Sequence, residues 1–247
     1  RSLYGLTYGP LLFFETLRAA LIDRGFKPSP NDECLFVHED MVCLVYVDDC
    51  LFYSADNAAM DAMIVSLKID FDLNREDDVA GFLGIDINKR EDGSIQLRQD
   101  GLIDRVLAVL QLSDANSCGT PAEAKTLGSN PDDDPFNEVW NYRSAVGMLM
   151  YLASNSFPEI AFAVHQCARF AHNPKKSHGN AVKRIGRYLI GAKGKGLIIN
   201  PGQELKLDLF ADSDFAGLWN SEDAQDPISV RSRTGFILTL AGAPLYW

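Results

Sequence analysis

Short runs of β-branched and aromatic residues, interleaved with amphipathic helical stretches, predict an α+β protein built on antiparallel sheets. Three observations carry that expectation. Leu44 to Tyr53 holds two strand-forming runs around a pair of adjacent aspartates, Asp48 and Asp49, because Val, Tyr and Phe favour a pleated, half-buried surface. Residues 136–195 carry three successive helical periods. Residues 205–247 return to alternation, as a second sheet would.

In chain order, Pro10 suits the first turn of a helix whose Phe14, Leu17, Ala20 and Leu21 recur at helical spacing, and Arg24-Gly25 ends it. Residues 28–32 read as a loop, and residues 34–38 and 41–53 as strands. Between the last two strands Asp48-Asp49 forms the tip of a tight hairpin, since Asp accepts hydrogen bonds from nearby backbone amides. Met60, Met63, Ile64, Leu67 and Phe71 mark a helix from about Asn57, with Asp56 or Asn57 as its N-cap. Residues 82–87 alternate as a strand, Glu91-Asp92-Gly93 turns, and residues 94–97 return. A short helix spans residues 102–110. Residues 113–135 hold Pro, Gly, Asn, Ser and Asp without a period, and read as a linker. Helices follow at residues 140–153, 159–171 and 178–190; on the last, Ala181, Ile185, Tyr188 and Leu189 form the apolar face. Strands are expected at residues 205–212, 233–240 and 245–247.

With 47% apolar and 23% charged residues the composition is that of an ordinary soluble globular chain, and no apolar run is long enough to cross a bilayer. Five cysteines form no CxxC pair and leave an odd count; three sit in apolar strand-like or helical contexts, where free Cys acts as a small hydrophobe, so a reducing intracellular setting is expected. The net charge of −11 argues at first against nucleic acid, but its distribution does not. Between Ile160 and Asn200 there is no acid, while Arg169, Lys175, Lys176, Lys183, Arg184, Arg187, Lys193 and Lys195 all fall there. A basic helical surface on an acidic chain can follow a phosphate backbone; the alternative is a solvated helix face. At the hairpin, two neighbouring negative charges repel, and a divalent cation such as Mg²⁺ relieves that repulsion. His165, Cys167, His172 and His178 match no zinc-finger spacing, and no G-x-S-x-G elbow or GxxxxGK[ST] loop occurs.

Five motifs stand in order: Leu3-Tyr4-Gly5-Leu6, Tyr46-Val47-Asp48-Asp49, Phe82-Leu83-Gly84, the run from Tyr142 to Leu152, and Asp212-Ser213-Asp214-Phe215-Ala216-Gly217. Together they resemble the reverse transcriptase and early ribonuclease H portion of a Ty1/copia-type LTR retrotransposon polyprotein, over nearly the whole chain. The resemblance implies a right-hand polymerase. Residues 1–112 would be the remainder of fingers and palm, residues 113–135 a linker, residues 136–195 a helical thumb and residues 196–247 the first strands of a ribonuclease H-like domain. It implies two-metal nucleotidyl transfer with Mg²⁺, or Mn²⁺ in its place, at Asp48 and Asp49. Phe82, Leu83 and Gly84 correspond to the primer grip, and Asp212 to the first ribonuclease H carboxylate, with Asp214 second in rank. Lys183, Arg184 and Arg187 are the candidate thumb contacts to nucleic acid. The implied partners are a template–primer duplex, dNTPs and the rest of a polyprotein, with no membrane, in a cytoplasmic particle or the nucleus.

Departures accompany the matches. The family takes a further palm aspartate from a strand upstream of the first motif, and further ribonuclease H acids from beyond Trp247, so both chain ends are expected to be cuts in a longer protein and the fragment inactive alone. After Leu6 the family usually shows Lys-Gln-Ala-Pro-Arg; here stand Thr7-Tyr8-Gly9-Pro10-Leu11. Phe157 stands where Arg is common. A decayed or domesticated nucleic-acid-binding remnant, relying on the basic helices, is the alternative expectation.

Overall fold

The computed structural model describes residues 7–76, 81–200, 202, 204–217, 219, 221 and 230–247; the Leu3–Leu6 motif lies outside them. Two compact units divide the chain, Arg1–Asp77 and Asp78–Trp247.

In the first unit, α1 (Gly9–Asp23) carries Pro10 in its first turn and buries Leu17, Ala20 and Leu21. Strands β1 (Lys27–Pro28), β2 (Leu35–Val37), β3 (Met41–Tyr46) and β4 (Asp49–Ser54) form one antiparallel sheet in that order. Pro28 thus belongs to an edge strand rather than to a loop, and an edge is where a residue without an N–H is tolerated. The sheet is followed by α2 (Asn57–Leu67), whose N-cap is Asp56: its carboxylate accepts from the amides of Ala58 and Ala59 at 2.8 and 3.2 Å. Met41, Cys43 and Val45, on one face of β3, join Leu17, Leu21, Phe26, Phe36 and Leu67 in the core. Arg24 fastens the two helix ends, donating to the Ser66 hydroxyl, the Ser66 carbonyl and Asp70 at 2.7, 2.8 and 2.5 Å.

The second unit opens with β5 (Gly81–Phe82), β6 (Ile85–Lys89), β7 (Ile95–Arg98) and α3 (Asp100–Val109). Residues 82–87 are therefore not one strand but a hairpin that reverses at Leu83-Gly84, where both residues have positive φ, +53° and +74°. After the linker come α4 (Tyr142–Asn155), a 3₁₀ turn (Pro158–Ile160), α5 (Ala161–Ala168) and α6 (Lys176–Ala192). β8 (Leu197–Ile199) then returns to pair with β7, giving the sheet β5-β6-β7-β8. A three-stranded sheet ends the chain: β9 (Leu207–Ser213), β10 (Thr234–Leu240) and β11 (Ala243–Tyr246), in the order β11-β10-β9.

The helices share one core with α3, including Ile103, Val106, Leu149, Leu152, Val164, Ile185 and Leu189. Phe157 is fully buried in it, so its position favours an apolar side chain. The last sheet is tied to the helices by the Trp247 indole, which donates to the Ala153 carbonyl at 2.8 Å, and by Arg233, whose guanidinium lies 4.9 Å from the Phe162 ring centre. No helix of the described residues is long and apolar enough to cross a membrane.

β8 reaches β7 only because Gly196 precedes it with φ +124°; a Cβ there would run into the Leu97 carbonyl oxygen. Gly196→Ala is expected to destabilise the second unit by about 1–3 kcal/mol, read as a lower urea midpoint.

Candidate active site and nucleic-acid surface

The β3–β4 register pairs Tyr46 with Asp49, so the two-residue loop is Val47-Asp48. The tip sits one residue earlier than expected, and Asp49 is the first residue of β4. Two-residue hairpin loops need positive φ because only the primed turns match the strands' twist. Here that burden falls on Val47, with φ +54°, a conformation a β-branched residue rarely adopts. It is held by the ladder behind it and by Val45 and Cys43, both buried on the core face.

Cross-strand partners share a face. Asp49 therefore projects with Tyr46, Leu44 and Val42 from the face opposite the helices, where Tyr46 and Tyr53 are exposed. Asp48 and Asp49 are both exposed, and among the described residues neither carboxylate has an ion-pair or hydrogen-bond partner. They are hard oxygen donors of the kind Mg²⁺ takes. Among the described residues no group of three or more His, Cys, Asp and Glu side chains is arranged to hold a metal, so the hairpin contributes two donors. Cys43 beneath it is held protonated by its hydrogen bond to Cys50 and by burial. All five cysteines are free.

In the second unit, the Leu83-Gly84 turn of the primer-grip candidate stands next to α4, where the Tyr151 hydroxyl donates to the Leu83 carbonyl at 2.7 Å. On β9, Asp212 is exposed and pairs with Gly235 in the ladder. Asp214 is committed elsewhere. It accepts from the Arg233 amide at 2.7 Å and from the Arg233 guanidinium at 2.9 and 2.6 Å, and these donors lower its pKa. Asp214 ties the end of β9 to the residue before β10, which leaves Asp212 as the available carboxylate of the pair.

The basic surface of α6 is not bare. Lys183 meets Glu138 at 2.7 Å, Arg184 meets Glu123 at 3.4 Å and the Thr120 hydroxyl at 2.9 Å, and the Arg187 Nε donates to the Asn116 carbonyl at 2.8 Å. Asp133 accepts from the Ser177 amide at 2.6 Å in the helix's first turn, where an anion is favoured. His178, fully buried and stacked on Phe170 at 4.0 Å, accepts from the Lys175 amide through Nδ1 and donates through Nε2 to the Gly128 carbonyl, both at 2.9 Å. The linker is thus bound along α6 by the residues that read as phosphate contacts. The linker's acids, and Glu138 just beyond it, lie 42 to 61 residues upstream of their partners, a pairing that no local pattern announces.

Residues 1–124 match the family described as "Reverse transcriptase (RNA-dependent DNA polymerase)". The chain belongs to the reverse transcriptase family. Its relatives place it with the Ty1/copia-type elements: it is 32% identical over 251 residues to the retrovirus-related Pol polyprotein from transposon RE1 of Arabidopsis thaliana, covering all of this chain and 16% of that one. To the Pol polyprotein from transposon TNT 1-94 of Nicotiana tabacum it is 30% identical over 259 residues, covering all of this chain and 19% of the relative. An uncharacterized mitochondrial protein of Arabidopsis thaliana is 30% identical over 207 residues, 84% of this chain and 82% of its own length. The chain spans less than a fifth of the Pol polyproteins it matches. No solved structure matches it.

Sequence reasoning passed over two residues that shape these sites, Val47 and Tyr151. The signal for Val47 was present: pairing residues 41–46 with 49–54 leaves two residues for the turn, and the first must take positive φ. Nothing in the sequence marks the Tyr151 contact, which depends on how α4 packs.

Two outcomes follow. Val47→Gly removes the left-handed strain and is expected to raise the stability of the first unit by about 1 kcal/mol, seen as a higher denaturation midpoint. Burial, outweighing the Gly128 carbonyl and Asp133, lowers the His178 pKa. Its contribution is then fully present above the unfolded value of about 6.5 and is lost as pH falls through the lower folded value. Urea midpoints taken from about pH 7.5 to about pH 5 should fall, and His178→Gln should flatten the fall.

Proposed function

We propose that the chain is the palm-to-thumb segment of a copia-type RNA-directed DNA polymerase, with Asp48 and Asp49 as its metal-holding carboxylates. The observation that carries this reading is the placement of both acids at the open end of the β3–β4 hairpin, exposed and with carboxylates that have no partner among the described residues. Divalent cations, Mg²⁺ or Mn²⁺, held there would stabilise the attacking 3′-oxygen and the leaving oxygen of phosphoryl transfer. The chain's own part is to present the acids. Paired strands fix their backbone, the strained Val47 sets the angle of the tip, and the sheet face that carries the exposed Tyr46 and Tyr53 is where template, primer and dNTP would approach.

In this reading residues 1–112 belong to fingers and palm, residues 113–135 link, residues 136–195 form the thumb, and residues 196–247 begin a ribonuclease H-like domain with Asp212 as a metal ligand. Phe82, Leu83 and Gly84 form the primer grip. Lys183, Arg184 and Arg187 reach a phosphate backbone by exchanging the partners they now hold. The segment works within a polyprotein, in a cytoplasmic particle or the nucleus. The alternative, a non-catalytic remnant that binds nucleic acid through its basic helix alone, is weakened because the linker already engages Arg184 and Arg187 of that helix.

Primer extension tests the proposal. The 247-residue segment alone is expected to add no dNTP, since its hairpin offers two carboxylates and the family site uses three. Supplied with the palm strand of a matching polyprotein it should extend a primer, and Asp48→Ala should return extension to background. Extension that survives Asp48→Ala would exclude this hairpin as the site.

A further inference from the structure

In the second unit a cavity of about 420 Å³ lies between the linker and helices α5 and α6. Linker residues 121–128 form one wall, and side chains of the two helices form the other. Cavities that hold small organic molecules run from roughly 300 to 1,000 Å³, so the volume suffices for one. Leu127, Phe162, Ala181 and Ile185 line it, and such a lining favours a ligand with an apolar body.

Two hydrogen-bond donors are left over in that wall. Gln166 of α5 lines the cavity and is only 4% exposed. Its Oε1 accepts from Arg169 Nη1 at 3.0 Å. A guanidinium cannot accept a hydrogen bond, so the oxygen is the atom turned to Arg169 and the NH₂ is the other one. Among the described residues that buried Nε2 has no partner. The linker carbonyls of Leu127 and Gly128 already accept from Arg169 at 3.5 Å and from His178 at 2.9 Å. Arg184 of α6, also in the wall, gives its two Nη groups to Glu123 and the Thr120 hydroxyl, and its buried Nε has no partner either. Buried donors without acceptors are unfavourable, and here two of them border one space. The charged residues of the wall are Glu123, Lys125 and Arg184, two cations against one acid. Cys167 adds no charge, because burial pushes its thiol up to about 12.

We propose that this cavity binds a small monocarboxylate with an apolar body, whose oxygens accept from Gln166 Nε2 and Arg184 Nε. The donors call for acceptor oxygens, the surplus of cations calls for an anion, and the lining calls for an apolar remainder. Linker and α6 both supply wall to the cavity, so the bound molecule also holds the linker against the helix. The site stands apart from the polymerase reading, and no nucleic acid enters its argument or its test.

The test is calorimetric titration of the 247-residue chain with 2-naphthoate, beside 2-naphthylmethylammonium, which has the same rings and the opposite charge. Naphthoate should bind saturably at one site per chain, and the cation roughly tenfold more weakly or worse. In ¹⁵N-resolved spectra naphthoate should shift the side-chain amide of Gln166. Gln166→Leu keeps the side chain's bulk, deletes the donor and should weaken naphthoate roughly tenfold. Ala181→Leu narrows the cavity without touching either donor; it should keep the wild-type circular dichroism and lose binding, and it decides the matter where Gln166→Leu fails to fold. No saturable binding of naphthoate, equal binding of the cation, or full naphthoate affinity in either folded variant overturns the inference.

Discussion

Two antiparallel strands joined by only two residues force the backbone into the left-handed region, and both candidate functional turns of this chain live under that constraint. At Val47-Asp48 and again at Leu83-Gly84 a non-glycine residue takes positive φ at the first loop position. Each such residue costs about 1–3 kcal/mol, which the rest of the hairpin has to offset. In the first unit the offset comes from a six-residue ladder with Cys43 and Val45 buried on its core face. In the second it comes from β6 and β7 behind the turn and from the hydroxyl of Tyr151 beside it. A longer loop would relieve the strain, but it would also let the acids of the first turn and the exposed peptide of the second wander. Tightness at the tip is what gives these groups a fixed direction.

The second unit solves a different problem, that of an irregular linker which must not drift. The answer is α6, whose basic side chains engage the linker's acids and carbonyls while its opposite face enters the core. Exposed ion pairs of this kind contribute little singly, about 0–1 kcal/mol each. The buried His178 is the firmer anchor, since it joins the helix start to Gly128 through both ring nitrogens. Burial keeps that ring neutral, and neutrality is what allows Nδ1 to accept.

Much of the architecture was legible because local pattern and tertiary packing agree. α1, the β3–β4 hairpin, α2 and α6 lie within a few residues of where apolar period and caps put them. The failures share a cause. Phe82, Ile85 and Ile87 imitate a continuous strand, and only backbone angles reveal the reversal at Leu83-Gly84. β8 is three residues long and is made a strand by β7, not by its own propensity. The basic run at residues 169–195 looked open because its counter-charges stand far upstream. For the same reason nothing in the sequence showed that Asp214, ranked behind Asp212, is engaged by Arg233 just before the next strand.

Charge balance then separates the acids that serve the fold from those that do not. Asp56 caps α2, Asp70 holds Arg24, Asp133 sits at the start of α6, Asp214 holds Arg233, and Glu123 and Glu138 hold the basic face. Each of these has a donor or a cation within the chain. Asp48, Asp49 and Asp212 have none among the described residues, although Asp48 and Asp49 stand side by side where their repulsion is unrelieved. In a chain of net charge −11 it would have been simple to place an arginine beside them, and any such residue would stabilise the strained tip. Its absence among the described neighbours leaves the negative potential at the hairpin directed outward. On the proposed reading, a cation drawn from solution, together with a polyanionic substrate whose charge it offsets, is the complement of that tip.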